Sequence, residues 1–284
     1  MSLNSCMLGL HVGDSLGATL EFQRPSPTNK SHTEIIGGGK HQWRPGDPTD
    51  DTEMAMMVLE SLIVNNKFDI YDLSGRFMEW LTQEPADVGR TTYNAINNLM
   101  NGISPFRSGC TGPFDQGNGS LMRCAPLAYF DVSEEVIIKQ TSITHNHSLC
   151  HLADLVFIQA IREAEKGLSK NKIFENALMM SKQNKVIYDH LIHIPETKWE
   201  HLETSGFAVH ALGAAFWGLL HTDSFEQALI EVVNRGDDAD SAGAICGALC
   251  GAFYSEKQIP TRWLEKIKWR NRIEEMTKQH PPLG

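Results

Sequence analysis

The sequence predicts an all-α fold, and three observations carry that expectation. Apolar residues recur at three- and four-residue spacing, as in Met54, Met57, Val58 and Leu62, with Ser61 on the same stripe. Two segments, 207–220 and 241–254, are apolar nearly all round, as buried central helices are. Alternating β patterns are few and short, the best being Ile35-Ile36 and residues 185–188.

Taken in order, the first helical segment carries Gly9, Gly13 and Gly17, spaced by four. Gly243, Gly247 and Gly251 repeat that ladder near the end of the chain. Glycine costs ~1 kcal/mol against alanine inside a helix, so six such positions imply close backbone approach between core helices. Asp14, Gly17 and Glu21 are spaced to share one face of this first helix, in mostly apolar surroundings. The next helix begins in PGDPTDDTEMAMMV: Pro48 closes a Gly/Pro-rich loop, Thr49 is the expected N-cap, and Asp50, Asp51 and Glu53 occupy a first turn that favours anions. A third runs from Ser148, with Gly167 placed to stop it. Before the last apolar helix stands NRGDDADSAGAICGAL, where Asp240 or Ser241 could cap.

Capping accounts for one acid in that stretch but not for three. Thr49, Asp50 and Asp51 supply hydroxyl, carboxylate, carboxylate; Asp238, Asp240 and Ser241 supply carboxylate, carboxylate, hydroxyl. Hard oxygen ligands without thiolate or imidazole suit Mg²⁺ or Mn²⁺ and disfavour zinc. Neighbouring helical residues point ~100° apart, so Asp50 and Asp51 can face two cations held ~3.5–4 Å from each other. An EF-hand starting at Asp238 fails, because Ala242 and Leu249 stand where oxygen ligands are needed. HNHSLCH, residues 145–151, holds four potential zinc ligands, but their spacing is cramped and no second cluster supports them.

Composition bounds the rest. The 284 residues are 41% hydrophobic and 21% charged, without low-complexity blocks or long linkers, so one domain spanning 1–284 is expected. A net charge of −10 argues against nucleic acid or an anionic membrane as the main partner. No stretch has the ~18 uninterrupted apolar residues of a membrane span. The N-terminal segment lacks the basic start of a signal peptide. Six cysteines without a CxxC pair fit a reduced, cytoplasmic protein. The lack of a heptad seam favours a monomer.

In order, GDSLGATLEF, GGGKHQWRPGDPTDDTEMAMM, GNGSLMRCAP, THNHS and RGDDADSAGAICGALCGAFY resemble the ADP-ribosylglycohydrolase family, most closely its dinitrogenase reductase-activating type. The resemblance runs from Gly9 to Tyr254. It implies a helical fold with a cleft holding two Mg²⁺ or Mn²⁺ ions, liganded by Thr49, Asp50, Asp51, Asp238, Asp240 and Ser241. Ser241 stands where many members carry threonine. The implied reaction is hydrolysis of the bond joining ADP-ribose to a protein acceptor, typically the N-glycosidic bond to arginine. Glu21 matches the glutamate beside the metals, and Asp87 an acid on the acceptor side that pairs with guanidinium or acts as base. Read without the family, Asp87 is equally an N-cap. The loop of Gly117, Asn118, Gly119, Ser120, Met122 and Arg123, read as a turn running into a helix, would cradle the diphosphate, with His145 donating to a phosphate. Phe114 stacks on adenine or packs in the core. Two other outcomes stay open: hydrolysis of O-linked or other ADP-ribosyl conjugates, and a catalytically silent ADP-ribose-binding or structural protein. The acceptor, whether nitrogenase iron protein or a toxin target, is not named by the residues.

Overall fold

The structure is a computed structural model that describes residues 2–26 and 31–280. Among these residues there are thirteen α-helices and no sheet; three isolated bridges, such as Gly38 to Trp43, are the only β pairing. In chain order the helices are α1 (Leu3–Gly17), α2 (Asp50–Asn65), α3 (Ile70–Thr82), α4 (Arg90–Met100), α5 (Glu134–Ser142), α6 (Ser148–Glu165), α7 (Lys170–Ser181), α8 (Lys185–Leu191), α9 (Ala208–His221), α10 (Phe225–Val233), α11 (Ala239–Tyr254), α12 (Thr261–Leu264) and α13 (Arg270–Lys278).

The centre is the pair α1 and α11, with α2, α6, α9 and α10 packed around it. Both central helices are almost wholly buried. They run antiparallel with their glycine ladders face to face: Gly9 lies on the Gly247 carbonyl, Gly13 on Gly243, and Gly17 on Ala239. A methyl group at any of these glycines would be driven into backbone of the other helix. The contact therefore excludes side chains, and backbone packs on backbone.

Local signals explain the other ends. Thr49 caps α2, its hydroxyl accepting from Asp51 N–H at 3.3 Å. α6 begins at Ser148 as expected, capped by His147, whose Nδ1 accepts from Leu149 N–H at 3.1 Å, and Gly167 follows that helix at φ +76°. Three expectations need correction. Residues 185–188 are not a strand but the start of α8, because the Asn184 side chain caps Val186 and Ile187 N–H groups. The N-cap of α11 is Asp238, which leaves Asp240 and Ser241 inside the helix. Glu21 is not on α1, which ends at Gly17; residues 18–22 turn away, and Phe22 takes φ +58°. Five of the six cysteines are buried among apolar side chains. No helix among the described residues is long and apolar enough to cross a membrane.

Candidate functional site

Packing brings the two acidic clusters together. Because α1 and α11 are antiparallel, the C-terminal end of α1 lies against the start of α11 and its acids. That same end of α1 also holds the start of α2. Asp14 Oδ2 accepts from Thr49 N–H at 3.1 Å, from Thr52 N–H at 3.3 Å and from the Thr52 hydroxyl. Two helix N-termini thus converge, each with a positive dipole end that favours carboxylates. Ser241 Oγ donates to Asp51 Oδ2 at 3.3 Å and closes the junction. Thr49 Oγ1 donates to the same oxygen at 3.1 Å.

The result is a concentration of buried negative charge. Burial first, and then the neighbouring acids, push Asp50, Asp51 and Asp240 well above the usual carboxylate range. Burial likewise raises Asp14 to about 7 and, helped by Asp87 and Asp238, raises Glu21 to about 8. Burial raises Asp238 too, and Asn118 Nδ2, which donates to its Oδ2 at 2.8 Å, pulls it back. Asp14 Oδ1, Glu21 Oε2, Asp51 Oδ1 and Asp240 Oδ1 are buried with no hydrogen-bond partner. Unpartnered buried oxygens are costly unless something positive satisfies them. A hard oxygen set of this kind fits divalent cations of the Mg²⁺ and Mn²⁺ class.

Above these acids opens a cleft of about 520 Å³. Asp50, Asp238, Asp240 and Ser241 line its floor, with Glu21 and Asp87 beside them, and Gly117, Asn118, Gly119, Met122 and His145 form a wall; Thr49 and Asp51 lie beneath the floor and do not line it. Phe22 and Phe114 stand at the rim, 56% and 85% exposed, so Phe114 is no core residue. A Cβ at Gly119 would meet His145 Cε1 at 2.8 Å and Thr92 Oγ1 at 2.9 Å, so only glycine lets the imidazole stand in this wall. A larger cavity of about 1280 Å³ lies elsewhere, beside Asn4, Phe130, Arg162 and Glu274, and holds none of these residues.

His145 is neutral: burial, then the charge of Arg123, push it down to about 3. Its tautomer follows from its neighbours. Arg123 can only donate, and its Nη2 donates to Thr144 Oγ1 at 2.8 Å. The Thr144 proton is then free to go to His145 Nδ1, also at 2.8 Å, which leaves Nε2–H as a donor beside Gly117 and Gly119.

Two residues of the expected substrate loop lie behind the cleft rather than in it. Arg123 is fully buried and donates to Gln140 Oε1 at 2.7 Å and to Gly119 O at 3.0 Å, with its guanidinium over Phe77. Ser120 Oγ points to Asp154 Oδ1 at 3.3 Å. They brace the loop from its inner side. The loop does not open an α-helix either; it turns into a 3₁₀ helix, Ala125–Tyr129, with Pro126 in its first turn. Asp14 faces α2 rather than the glycine side of α1. Asp87 is not an N-cap, since Gly89 holds that place before α4.

His41, not among the residues expected at the site, places Nε2 3.7 Å from Glu21 Oε2 and 3.8 Å from Asp87 Oδ1. The only signal was the run of glycines before it: Gly37, Gly38 and Gly39 all take positive φ and shape the turn that delivers it. Zinc at HNHSLCH finds no support among the described residues. His147 caps α6, and His151 Nε2 meets Ser142 Oγ at 2.9 Å, so their ring nitrogens engage different partners.

A helical fold with a cleft floored by paired acid clusters from two helix starts defines a class, and comparison with known proteins agrees. The chain belongs to the ADP-ribosylglycohydrolase family, whose model matches residues 3–283. It is 34% identical to the ADP-ribosyl-[dinitrogen reductase] glycohydrolase of Rhodospirillum rubrum, over 92% of this chain and 88% of that protein. It is 32% identical to ADP-ribosylarginine hydrolase Tri1 of Serratia proteamaculans, over 96% of this chain and 77% of that one. A solved structure described as an ADP-ribosylglycohydrolase-related protein complex superposes with a TM-score of 0.82 at 32% identity, covering 97% of this chain and 95% of its own.

Proposed function

We propose that this protein, acting as one domain over residues 1–284, is a metal-dependent hydrolase that removes ADP-ribose from arginine side chains of proteins. The observation that carries the reading is the junction at Ser241 and Asp51. It joins two acid-and-hydroxyl clusters at the base of one cleft, where Asp51 Oδ1 and Asp240 Oδ1 are buried without a hydrogen-bond partner. The relative named an ADP-ribosylarginine hydrolase supports the choice of bond.

Thr49, Asp50, Asp51, Asp238, Asp240 and Ser241 would hold two cations, Mg²⁺ or Mn²⁺. When bound, these supply Lewis-acid charge that orients ribose hydroxyls and makes water more acidic. The chain's own groups do the rest. His145 Nε2–H and the backbone of Gly117 and Gly119 receive the diphosphate, and the rings at the rim are placed for adenine. Asp87, at the partly open edge, pairs with the acceptor guanidinium. Glu21, ionised when bound cations offset the negative charge around it, takes the proton of the attacking water. The bond from the anomeric carbon to the arginine nitrogen breaks through an oxocarbenium-like state; water supplies the new hydroxyl and a proton ends on the leaving guanidine.

The test is release of ADP-ribose from an arginine-ADP-ribosylated protein, with a serine-linked conjugate in parallel. Release from arginine that requires Mg²⁺ or Mn²⁺ and fails in D238A/D240A is expected. Undiminished release in EDTA would overturn metal dependence, and turnover of the serine conjugate alone would overturn the choice of bond.

A further inference from the structure

Away from the cleft, three side chains turn metal-ligating atoms toward one another. They are His190 on α8, Glu203 in the connection to α9, and His210 in the first turns of α9; the three ligand atoms lie within 4.8 Å of each other. Glu203 Oε2 is 3.4 Å from His210 Nε2 and 3.9 Å from His190 Nδ1, and the two imidazoles sit 5.2 Å apart, inclined by 31°. Two ligands each ~2.0–2.1 Å from a tetrahedral metal are separated by about 3.4 Å, so the first spacing already suits one and the second is about half an ångström wide. Glu203 is 56% exposed, so a rotation of its side chain closes that gap.

The histidines are prepared for the role. His210 Nδ1 meets Ser205 Oγ at 2.7 Å, and the Phe207 ring stands edge-on against the imidazole. Anchoring one nitrogen fixes the ring and leaves the other to bind, as with metal-bound imidazoles. His190 sits where Gly213 offers no side chain, and burial, then the His210 ring, hold it down to about 4, so it carries a lone pair at neutral pH.

We propose that His190, Glu203 and His210 form a second, separate metal site for a transition cation of the Zn²⁺ class. Two imidazoles and one carboxylate leave a fourth position to water, and this donor set selects against the Mg²⁺ and Mn²⁺ suited to the cleft floor. The site bears on the cleft through the backbone it clamps. Thr204 O accepts from Asp238 N–H at 3.1 Å, and Gly206 O accepts from Asn118 N–H at 2.9 Å. A cation joining Glu203 to His210 pins that strap at both ends.

Cobalt(II) is the probe, added to the full chain in excess Mg²⁺. A four-coordinate nitrogen and oxygen site gives strong visible absorption, whereas hard six-coordinate sites give little. One equivalent of such absorption is expected, displaced by Zn²⁺, lost in H190N and H210N, and retained in D240N. Absence of the band in wild type, or its survival in the H190N/H210N double variant, would overturn the site. Should the variants lose helicity, anomalous diffraction from wild-type crystals soaked in Zn²⁺ decides: density between these three side chains supports the site, and density only at the cleft or elsewhere refutes it.

Discussion

Ser241 Oγ donates a 3.3 Å hydrogen bond to Asp51 Oδ2, across 190 residues of sequence. This one contact joins the start of α11 to the start of α2 and turns two ordinary-looking helix openings into one site. Replacing the hydroxyl should therefore weaken cation binding without unfolding the protein. We expect S241A to raise the Mn²⁺ dissociation constant roughly tenfold, and S241T to stay near wild type because it keeps the oxygen. Isothermal calorimetry measures both; equal binding by S241A would exclude the hydroxyl from the cation site.

Asp87 faces the cleft with Glu21, the two carboxylates bridged by His41 Nε2 at 3.8 and 3.7 Å. Loss of its charge should strike turnover rather than assembly. D87N is expected to lower kcat/KM for an arginine-linked substrate by roughly 10–10², the worth of one charge-assisted hydrogen bond, with Mn²⁺ affinity unchanged. Steady-state kinetics beside calorimetry reads the split; a variant with full turnover removes Asp87 from the reaction.

The glycine interface can be tested by a single methyl. At Gly13 it would collide with the Gly243 carbonyl, and α1 and α11 would have to separate. The helix-propensity gain of ~1 kcal/mol does not offset overpacking against rigid backbone, so G13A should lose at least about 2 kcal/mol of stability. Gly75 in α3 is the control: a Cβ there meets nothing within 4 Å, and G75A should gain stability by up to ~1 kcal/mol. Urea unfolding of both variants gives the comparison.

Asp154, buried in α6, is pushed up to about 7 by burial, although Thr141 Oγ1, which donates at 2.6 Å, Arg123 and Ser120 pull it back. A carboxyl whose folded pKa is raised stabilises the fold fully below its unfolded value of ~3.9 and loses that contribution as pH climbs through about 7. The loss runs at up to ~1.4 kcal/mol per pH unit. D154N keeps a carbonyl acceptor for one of the two hydroxyls, turns its NH₂ toward the other, whose oxygen can accept, and does not ionise. Its stability relative to wild type should therefore rise from pH 4.5 to 7 and level off above. A flat difference across that range, measured by urea unfolding, would contradict this assignment.

Much of the molecule is readable from local pattern. The Thr49 cap, the Gly167 stop and the apolar helices all follow from interactions within a few residues, which is why they appear as expected. Where local pattern misled, a competing local group had prevailed: the Asn184 cap turned a β-like run into α8. The turn after Gly17 took Glu21 off the helix that its spacing suggested.

The sequence by itself determined that α1 and the last apolar helix carry glycine ladders suited to close approach, and that acids and hydroxyls stand at two helix starts. Only the tertiary structure decided that the ladders meet each other, and in antiparallel sense, so that both starts end on one cleft floor. It also placed Arg123 behind the wall, where it orients His145, and brought His41 between Glu21 and Asp87. The reason is physical: periodicity and capping are set by neighbours a few residues apart. Which buried faces pair depends on close packing summed over the whole core, and no single segment carries that information.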